Sequence, residues 1–187
     1  MDIAVNISDD IIETERLILR AWRKSDLDDF YEYASVSGVG ELAGWKHHES
    51  KEVSRKILDG FIADKNVFAV FHKEDKKVIG SVGLHSSWVN GDDVYNYLKA
   101  KEIGYVLSRD YWGREIMPEA VMAVIRYLFA EHKLDAVTCG HFIKNERSRR
   151  VIEKCGFQFV KNGSIYVRQL QVTMRNKNYI LFMEEKL

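Results

Sequence analysis

Glu102-Ile-Gly-Tyr-Val-Leu107 leads through Trp112-Gly-Arg-Glu-Ile-Met-Pro-Glu119 and Ala136-Val-Thr-Cys-Gly-His-Phe-Ile143 to Asn145-Glu-Arg-Ser148 and Cys155-Gly-Phe157. The stretch reads as strand, tight turn, helix, strand, turn and short helix. Its turn delivers a strand straight into a helix N-terminus, where backbone N–H groups lack partners and a partial positive charge collects. Such a terminus is a cradle for phosphate. Pro118 suits the first helical turn, where a missing N–H removes no bond. Val121, Val124, Ile125, Leu128 and Phe129 then recur at helical spacing.

Outward from that stretch, Arg16–Trp22 alternates as a strand. Ser25 reads as the N-cap of a helix, with Asp28 completing part of a capping box. Leu27, Phe30, Tyr31 and Ala34 share one face of it. A second helix is expected from Ser50 to Asp64, with Val53, Ile57 and Phe61 as its apolar stripe. Val67–Phe71 and Val78–Leu84 form a hairpin across the charged turn Lys73–Lys77. Asn90–Asp93 is a loop. A short helix over Ser148–Lys154 ends at Gly156, and two more strands are expected at Phe157–Lys161 and Tyr179–Glu184. Strands flanking crossover helices imply an α+β fold with one mixed, mostly antiparallel sheet.

The 187 residues, 46% hydrophobic and 30% charged, suffice for one folded domain over 1–187. A single proline and the absence of repeats argue against a hinge between two domains. Acids and bases balance at 28 each, which removes the electrostatic argument for a nucleic-acid partner and leaves only a local basic patch. No run of 18 apolar residues marks a membrane span. The first ten residues lack the basic start and apolar core of a secretion signal, so a cytoplasmic location is expected. Cys139 and Cys155 sit in apolar patterns and read as structural thiols. His47, His48, His85 and His141 make no metal-binding spacing, so no metal is expected.

Three motifs in this order resemble the GNAT acetyltransferases, and among them the RimJ/RimL branch. They are Thr14-Glu-Arg-Leu-Ile-Leu-Arg20, then Glu102-Ile-Gly-Tyr105 with Tyr111-Trp-Gly113 and Glu119-Ala120, then Asn145-x-x-Ser148-x-x-Val151-x-Glu153-Lys154-x-Gly156-Phe157. The likeness runs from about residue 12 to 185, and the last motif is the most specific. It implies transfer of an acetyl group from acetyl-CoA to an amine, with helices on both sheet faces and a V-shaped splay between two central strands. It also implies that the pantetheine arm pairs with the backbone of Tyr105, Val106 and Leu107, as an added strand would. The pyrophosphate falls on Trp112, Gly113, Arg114, Glu115, Ile116 and Met117. The implied partners are acetyl-CoA and an amine acceptor, either a peptide N-terminus or a small amine. Monomer and homodimer stay open.

One departure stands out. Glu115 and Met117 occupy positions where the family pattern has glycine and a small residue. A carboxylate about 5 Å from a phosphate costs roughly 3 kcal/mol at an effective dielectric of 20. Rotation toward solvent, or pairing of Arg114 with the phosphate, offsets it. The other reading of Glu115 is a favourable acid in a helix's first turn.

Aminolysis of a thioester needs a neutral amine, a donor to the carbonyl oxygen and a proton for the thiolate. The backbone N–H near Val106 is the expected donor to that oxygen. Glu102 is the candidate base, or else a solvated strand end after Lys99 and Lys101. Ser148 is the candidate acid, and as a helix N-cap it would look the same in sequence. Asn145 binds the cofactor or closes a turn. Trp45 and His48, between the first two helices, touch the acceptor or pack the loop. Tyr166 is a further proton donor or packs near a sheet edge. No nucleophile is placed for a covalent intermediate, so direct transfer is expected. The rival reading is a non-catalytic acyl-CoA-binding or regulatory module, suggested by Glu115 and Met117.

Overall fold

The computed structural model describes residues 2–183. One sheet of eight strands runs through them: β1 (Ile11–Glu13), β2 (Leu17–Ala21), β3 (Val67–His72), β4 (Lys77–Ser86), β5 (Ala100–Leu107), β6 (Ala136–Phe142), β7 (Gln158–Val167) and β8 (Val172–Phe182). Their order is β1-β2-β3-β4-β5-β6-β8-β7. Every pair is antiparallel except β5 and β6. Four helices cover it: α1 (Leu27–Ala34), α2 (Lys51–Asp64), α3 (Ile116–His132) and α4 (Glu146–Lys154).

Alternation along β3 shows how two cores arise. Phe68 and Val70 pack into the cluster beneath α3 and α4, and Val67 and Ala69 into the cluster beneath α1 and α2. A strand buried on both faces therefore reads as a continuous apolar run. Leu128 of α3 and Ile152 of α4 are fully buried in the first cluster. Truncating either to alanine costs about 2–5 kcal/mol.

Several expectations need correction. Ser25 does not cap α1. It lies inside a 3-10 turn, Lys24–Asp26, and buried Asp26 closes that turn by accepting from Arg23 N–H at 2.8 Å. Both Asp26 oxygens also accept from the Arg20 guanidinium, at 2.8 and 2.9 Å. In α2 Ile57 and Phe61 of the expected stripe pack against the core beside buried Ser54 and Leu58, while Val53 is 38% exposed. Ser50 caps that helix, accepting from Val53 N–H at 3.4 Å.

The largest difference is the β7–β8 hairpin, whose strands, joined by a turn at 168–171, extend through residues 162–178, where no strand was expected. Most of its residues are exposed or half-buried on both faces, so the hydrophobic alternation that betrays a strand is absent. Glu184, placed at a strand end, lies outside the described residues.

Candidate active site

The pairing of β5 with β6 stops at Ile103 and Cys139. Beyond that rung β5 continues to Leu107 and β6 to Phe142, so the two strands splay. The Cys139 thiol donates to Ile103 O at 3.1 Å where they part. The splay opens a cleft of about 760 Å³, within the range of small-molecule sites. It is lined by β4, β5, the start of α3, α4 and residues 39–45.

Which main-chain groups face the gap follows from the ladder. Ser108 N–H donates to Ile79 O at 2.7 Å, toward β4. Alternation along an antiparallel pair sends Val106 and Gly104 the same way, and turns Tyr105 and Leu107 toward the cleft. The donor expected near Val106 is therefore on a neighbouring residue, because the Val106 backbone is committed to β4. Leu107 O is also taken, by Trp112 Nε1–H at 3.0 Å.

The turn after β5 has Gly113 at φ +77° and Glu115 at φ +59°. Glycine adopts such values freely and a residue with a Cβ does not. Arg16 holds the outside of this turn, donating to Arg114 O at 2.9 Å and to Glu115 O at 3.2 Å. Glu119 anchors Arg16 in turn, accepting from its N–H at 3.0 Å and its Nε at 2.7 Å. The first-turn N–H groups of α3 remain without intrahelical partners. Gly113, Glu115, Ile116 and Met117 line the cleft beside them.

Glu115 forms an ion pair with Lys154 of α4. Arg114, expected to offset it, is not among the residues lining the cleft, and its guanidinium lies 5.4 Å from the Tyr111 ring centre. Sequence reasoning missed the cations that do line it: Arg147, Arg150 and Lys154. Their spacing of three and four puts them on one helix face, a signal that was available. Arg147 stacks 4.4 Å from the Trp112 ring centre.

Asn145, not Ser148, caps α4. Its Oδ1 accepts from Ser148 N–H at 3.1 Å and its Nδ2 donates to Leu42 O at 3.0 Å. Both polar atoms are thus engaged in holding the loop against the helix. Ser148, one turn further in, is free of capping, and its Oγ lies 2.8 Å from the Tyr105 hydroxyl. Burial pushes the Tyr105 phenol well above its ordinary value.

Glu102 lies on the cleft floor. Its carboxylate accepts from Thr138 Oγ1 at 3.4 Å and from Trp88 N–H. Burial raises its pKa above 4.5 despite those donors. Directly opposite it in the ladder stands His85, which also lines the cleft and to which the sequence reading gave no role, having set metal binding aside. The His85 side chain is exposed toward the cleft, yet the surrounding walls desolvate its ring and, with Lys101 adding, lower its pKa below 6.5.

Trp45 lines the cleft, but His48 does not. The His48 ring is buried, with Nδ1 2.7 Å from Ser54 Oγ and its centre 5.1 Å from that of Phe30. Tyr166 is 60% exposed on the edge strand β7, neither packed nor in the cleft, while its neighbour Ile165 lines it. His141 is satisfied, with Nδ1 2.8 Å from Phe142 O and Nε2 3.1 Å from the Tyr179 hydroxyl. Cys139 and Cys155 are buried free thiols, and burial pushes Cys155 up to about 12. Asn176, on a part of β8 that no expected strand covered, also reaches the cleft. It is 6% exposed, its Nδ2 donates to Asn178 Oδ1 at 2.8 Å, and its own Oδ1 has no partner. Among the described residues, no cluster of three or more His, Cys, Asp or Glu is placed to hold a metal ion, and no helix is long and apolar enough to cross a membrane.

A splayed parallel pair with a helix N-terminus at its mouth suits an extended ligand that ends in phosphate, and comparison with known proteins identifies the family. A family model described as an acetyltransferase (GNAT) domain matches residues 16–158, more than half of the chain. The chain belongs to that acetyltransferase family. The uncharacterized N-acetyltransferase YoaA of Bacillus subtilis is 27% identical over 153 residues, 79% of this chain and 82% of YoaA. The ribosomal protein uS5-alanine N-acetyltransferase of Escherichia coli is 29% identical over 91 residues, 49% of this chain and 44% of that protein. RimJ of Mycobacterium smegmatis, solved in complex with CoA-disulfide, superposes with a TM-score of 0.70 at 15% identity, over 92% of this chain and 87% of that one. The homologues thus include ribosomal-protein N-acetyltransferases, and the expected α+β fold with its splayed sheet is the one observed.

Proposed function

We infer that the protein, acting as one domain, moves an acetyl group from acetyl-CoA to a primary amine, on a peptide N-terminus or a small molecule, by direct attack with both substrates bound. The observation that carries this reading is the open edge of β5, which begins past the last β6 rung at Ile103 and runs toward the N–H groups at the start of α3.

Acetyl-CoA supplies an activated acetyl thioester. The chain's residues fit it along one line. Main-chain groups of Tyr105 and Leu107 offer strand-like pairing to amides of the pantetheine arm. The N–H groups around Gly113 to Met117 suit a pyrophosphate. Arg147, Arg150 and Lys154 add positive charge on the facing helix. At the far end, the Glu102 carboxylate removes a proton from the incoming ammonium, directly or through water. The Ser148 hydroxyl, bonded to Tyr105, returns a proton to the departing sulfur. A cleft-facing N–H of Tyr105 or Leu107 polarises the carbonyl. Trp45, Leu42, Phe142 and Ile165 give the acceptor end apolar walls.

Calorimetry with acetyl-CoA, followed by thiol release across a panel of small amines and short peptides, tests the reading. Saturable binding and thiol release with an amine are expected. Binding with no release for any acceptor would favour a non-catalytic module, and no binding would end both.

A further inference from the structure

Outside the residues already given roles, one titratable side chain has a setting made for it. His85 on β4 and Glu102 on β5 are register partners, so their side chains leave the same sheet face from adjacent strands. They then lean apart. Glu102 is drawn toward β6 by Thr138 and toward Trp88 N–H. The His85 ring folds back over two glycines that face each other across the ladder, Gly83 and Gly104. A Cβ on Gly83 would stand 2.6 Å from His85 Nε2, and one on Gly104 would stand 3.1 Å from Cδ2. Neither glycine has a positive φ. What the pair provides here is room for a flat ring on the cleft floor.

Neither ring nitrogen of His85 has a hydrogen-bond partner among the described residues, in contrast to His47, His48, His132 and His141. The charged groups near it are its register partner Glu102 and, from the opposite sheet face, Lys101, whose ammonium pairs with Asp2 at 2.8 Å. From β3, α2 and the 39–45 loop the cleft wall presents Val67, Phe61, Leu42 and Trp45, which are uncharged. The gap between the two leaning side chains is the place on the floor where an amine meets both a carboxylate and a free imidazole.

We propose that His85 is a second proton acceptor in the acetyl transfer, sharing with Glu102 the two protons that an alkylammonium must lose. This rests on the reaction inferred above. The count is simple. The ammonium gives one proton to Glu102 and becomes a neutral nucleophile. Its lone pair forms the N–C bond, and the C–S bond breaks with its electron pair leaving on sulfur. That sulfur takes a proton from the Ser148–Tyr105 pair. The newly bonded nitrogen still carries one proton too many, which His85 accepts. Two protons are gained by the floor and one is given by the hydroxyl pair, so one is released to solvent per turnover. Because its surroundings favour the neutral imidazole, His85 stands ready as an acceptor at neutral pH.

The test uses His85→Gln and His85→Ala with acetyl-CoA and the best amine or peptide of the panel. The kcat of each is expected to fall about 100-fold, within the usual range for a lost acid–base group, with acetyl-CoA affinity unchanged. The variants should also lose the part of the rate–pH limb that lies below 6.5. Added imidazole should restore turnover to His85→Ala, since the ring site opens on the cleft. Unchanged kcat, or loss of kcat with no rescue by imidazole and an unaltered pH profile, overturns the assignment. If no acceptor reacts with the unmodified protein, the inferred reaction falls first. The placement of His85 is then decided by NMR titration of its ring, whose midpoint should lie below 6.5 and move up in Lys101→Gln, since the nearby ammonium disfavours the imidazolium. A midpoint that does not move refutes that placement.

Discussion

The Tyr105 hydroxyl lies 2.8 Å from Ser148 Oγ and 3.0 Å from Ser148 O, joining the middle of β5 to the third residue of α4 across the splay. A serine at that helix position has no cap to make, because Asn145 already accepts its N–H. Its hydroxyl is left for Tyr105 and for whatever enters the cleft. Ser148→Ala and Tyr105→Phe should each lower kcat by roughly ten- to a hundredfold. As members of one unit their losses should not add, so the double variant should be little worse than either single one. Steady-state kinetics on the three variants checks this. Fully additive losses would mean that the two hydroxyls act apart.

Glu115 holds a backbone conformation that disfavours a Cβ, and its side chain ties up the Lys154 ammonium. Glu115→Gly removes a left-handed penalty of about 1 kcal/mol or more. It also removes an exposed ion pair that contributes about 0–1 kcal/mol. The variant should be as stable as the parent or slightly more so. Lys154 is then released toward the phosphate end of the cleft, and acetyl-CoA should bind about three- to tenfold more tightly. Lys154→Ala should move affinity the other way. Calorimetry and denaturant unfolding measure both, and weaker binding by Glu115→Gly would show that the carboxylate serves the site.

Burial raises the Glu102 pKa above its ordinary 4.5, so folding favours the protonated carboxyl. That contribution is complete below 4.5 and is lost as pH rises through the folded value. Glu102→Gln carries no charge to bury. It should therefore be more stable than the parent at pH 7 and indistinguishable from it at pH 4, while its turnover falls and the rising limb of rate against pH flattens. Parallel melts at the two pH values, beside a rate profile, are the measurement. Equal stability differences at both would deny the buried carboxylate.

Glu119 behaves in the opposite sense. Burial pushes its pKa up, but Thr14 Oγ1, Arg16 N–H and the Arg16 guanidinium outweigh it and hold the carboxyl below 4.5. Its stabilisation is present above 4.5 and lost as pH falls through the folded value. Glu119→Gln should accordingly cost stability at pH 7 and lose its disadvantage in acid. Arg16→Ala, which frees the carbonyls of Arg114 and Glu115, should weaken acetyl-CoA binding about tenfold by loosening the phosphate turn. Acetyl-CoA affinity left intact in Arg16→Ala would separate that clamp from the site.

Much of this arrangement was legible in the chain. The strand over Glu102–Leu107, the proline-marked helix start and the Asn145–Phe157 pattern place the splay and its mouth, because each rests on local rules of periodicity, capping and glycine. The cations Arg147, Arg150 and Lys154 were equally available at helical spacing and were overlooked. Other features had no local signal. Ser148 and Asn145 are both plausible caps until the helix start is seen. His48 reads like Trp45 until one ring is found buried and the other in the cleft. The β7–β8 hairpin, polar on both faces, gives no strand signal around Asn176. No spacing in the chain couples His85 to Glu102, which lie 17 residues apart.

By itself the sequence determined the order of elements, the group-transfer family and the helix terminus suited to a phosphate, since these depend on neighbours within a few residues. Only the tertiary structure decided which side chains share the cleft floor, which carbonyls Arg16 draws away and where the Glu115 charge goes. Those depend on strand register and on helix facing. Both are settled by the packing of the hydrophobic clusters against the sheet, and no short stretch of chain encodes them alone.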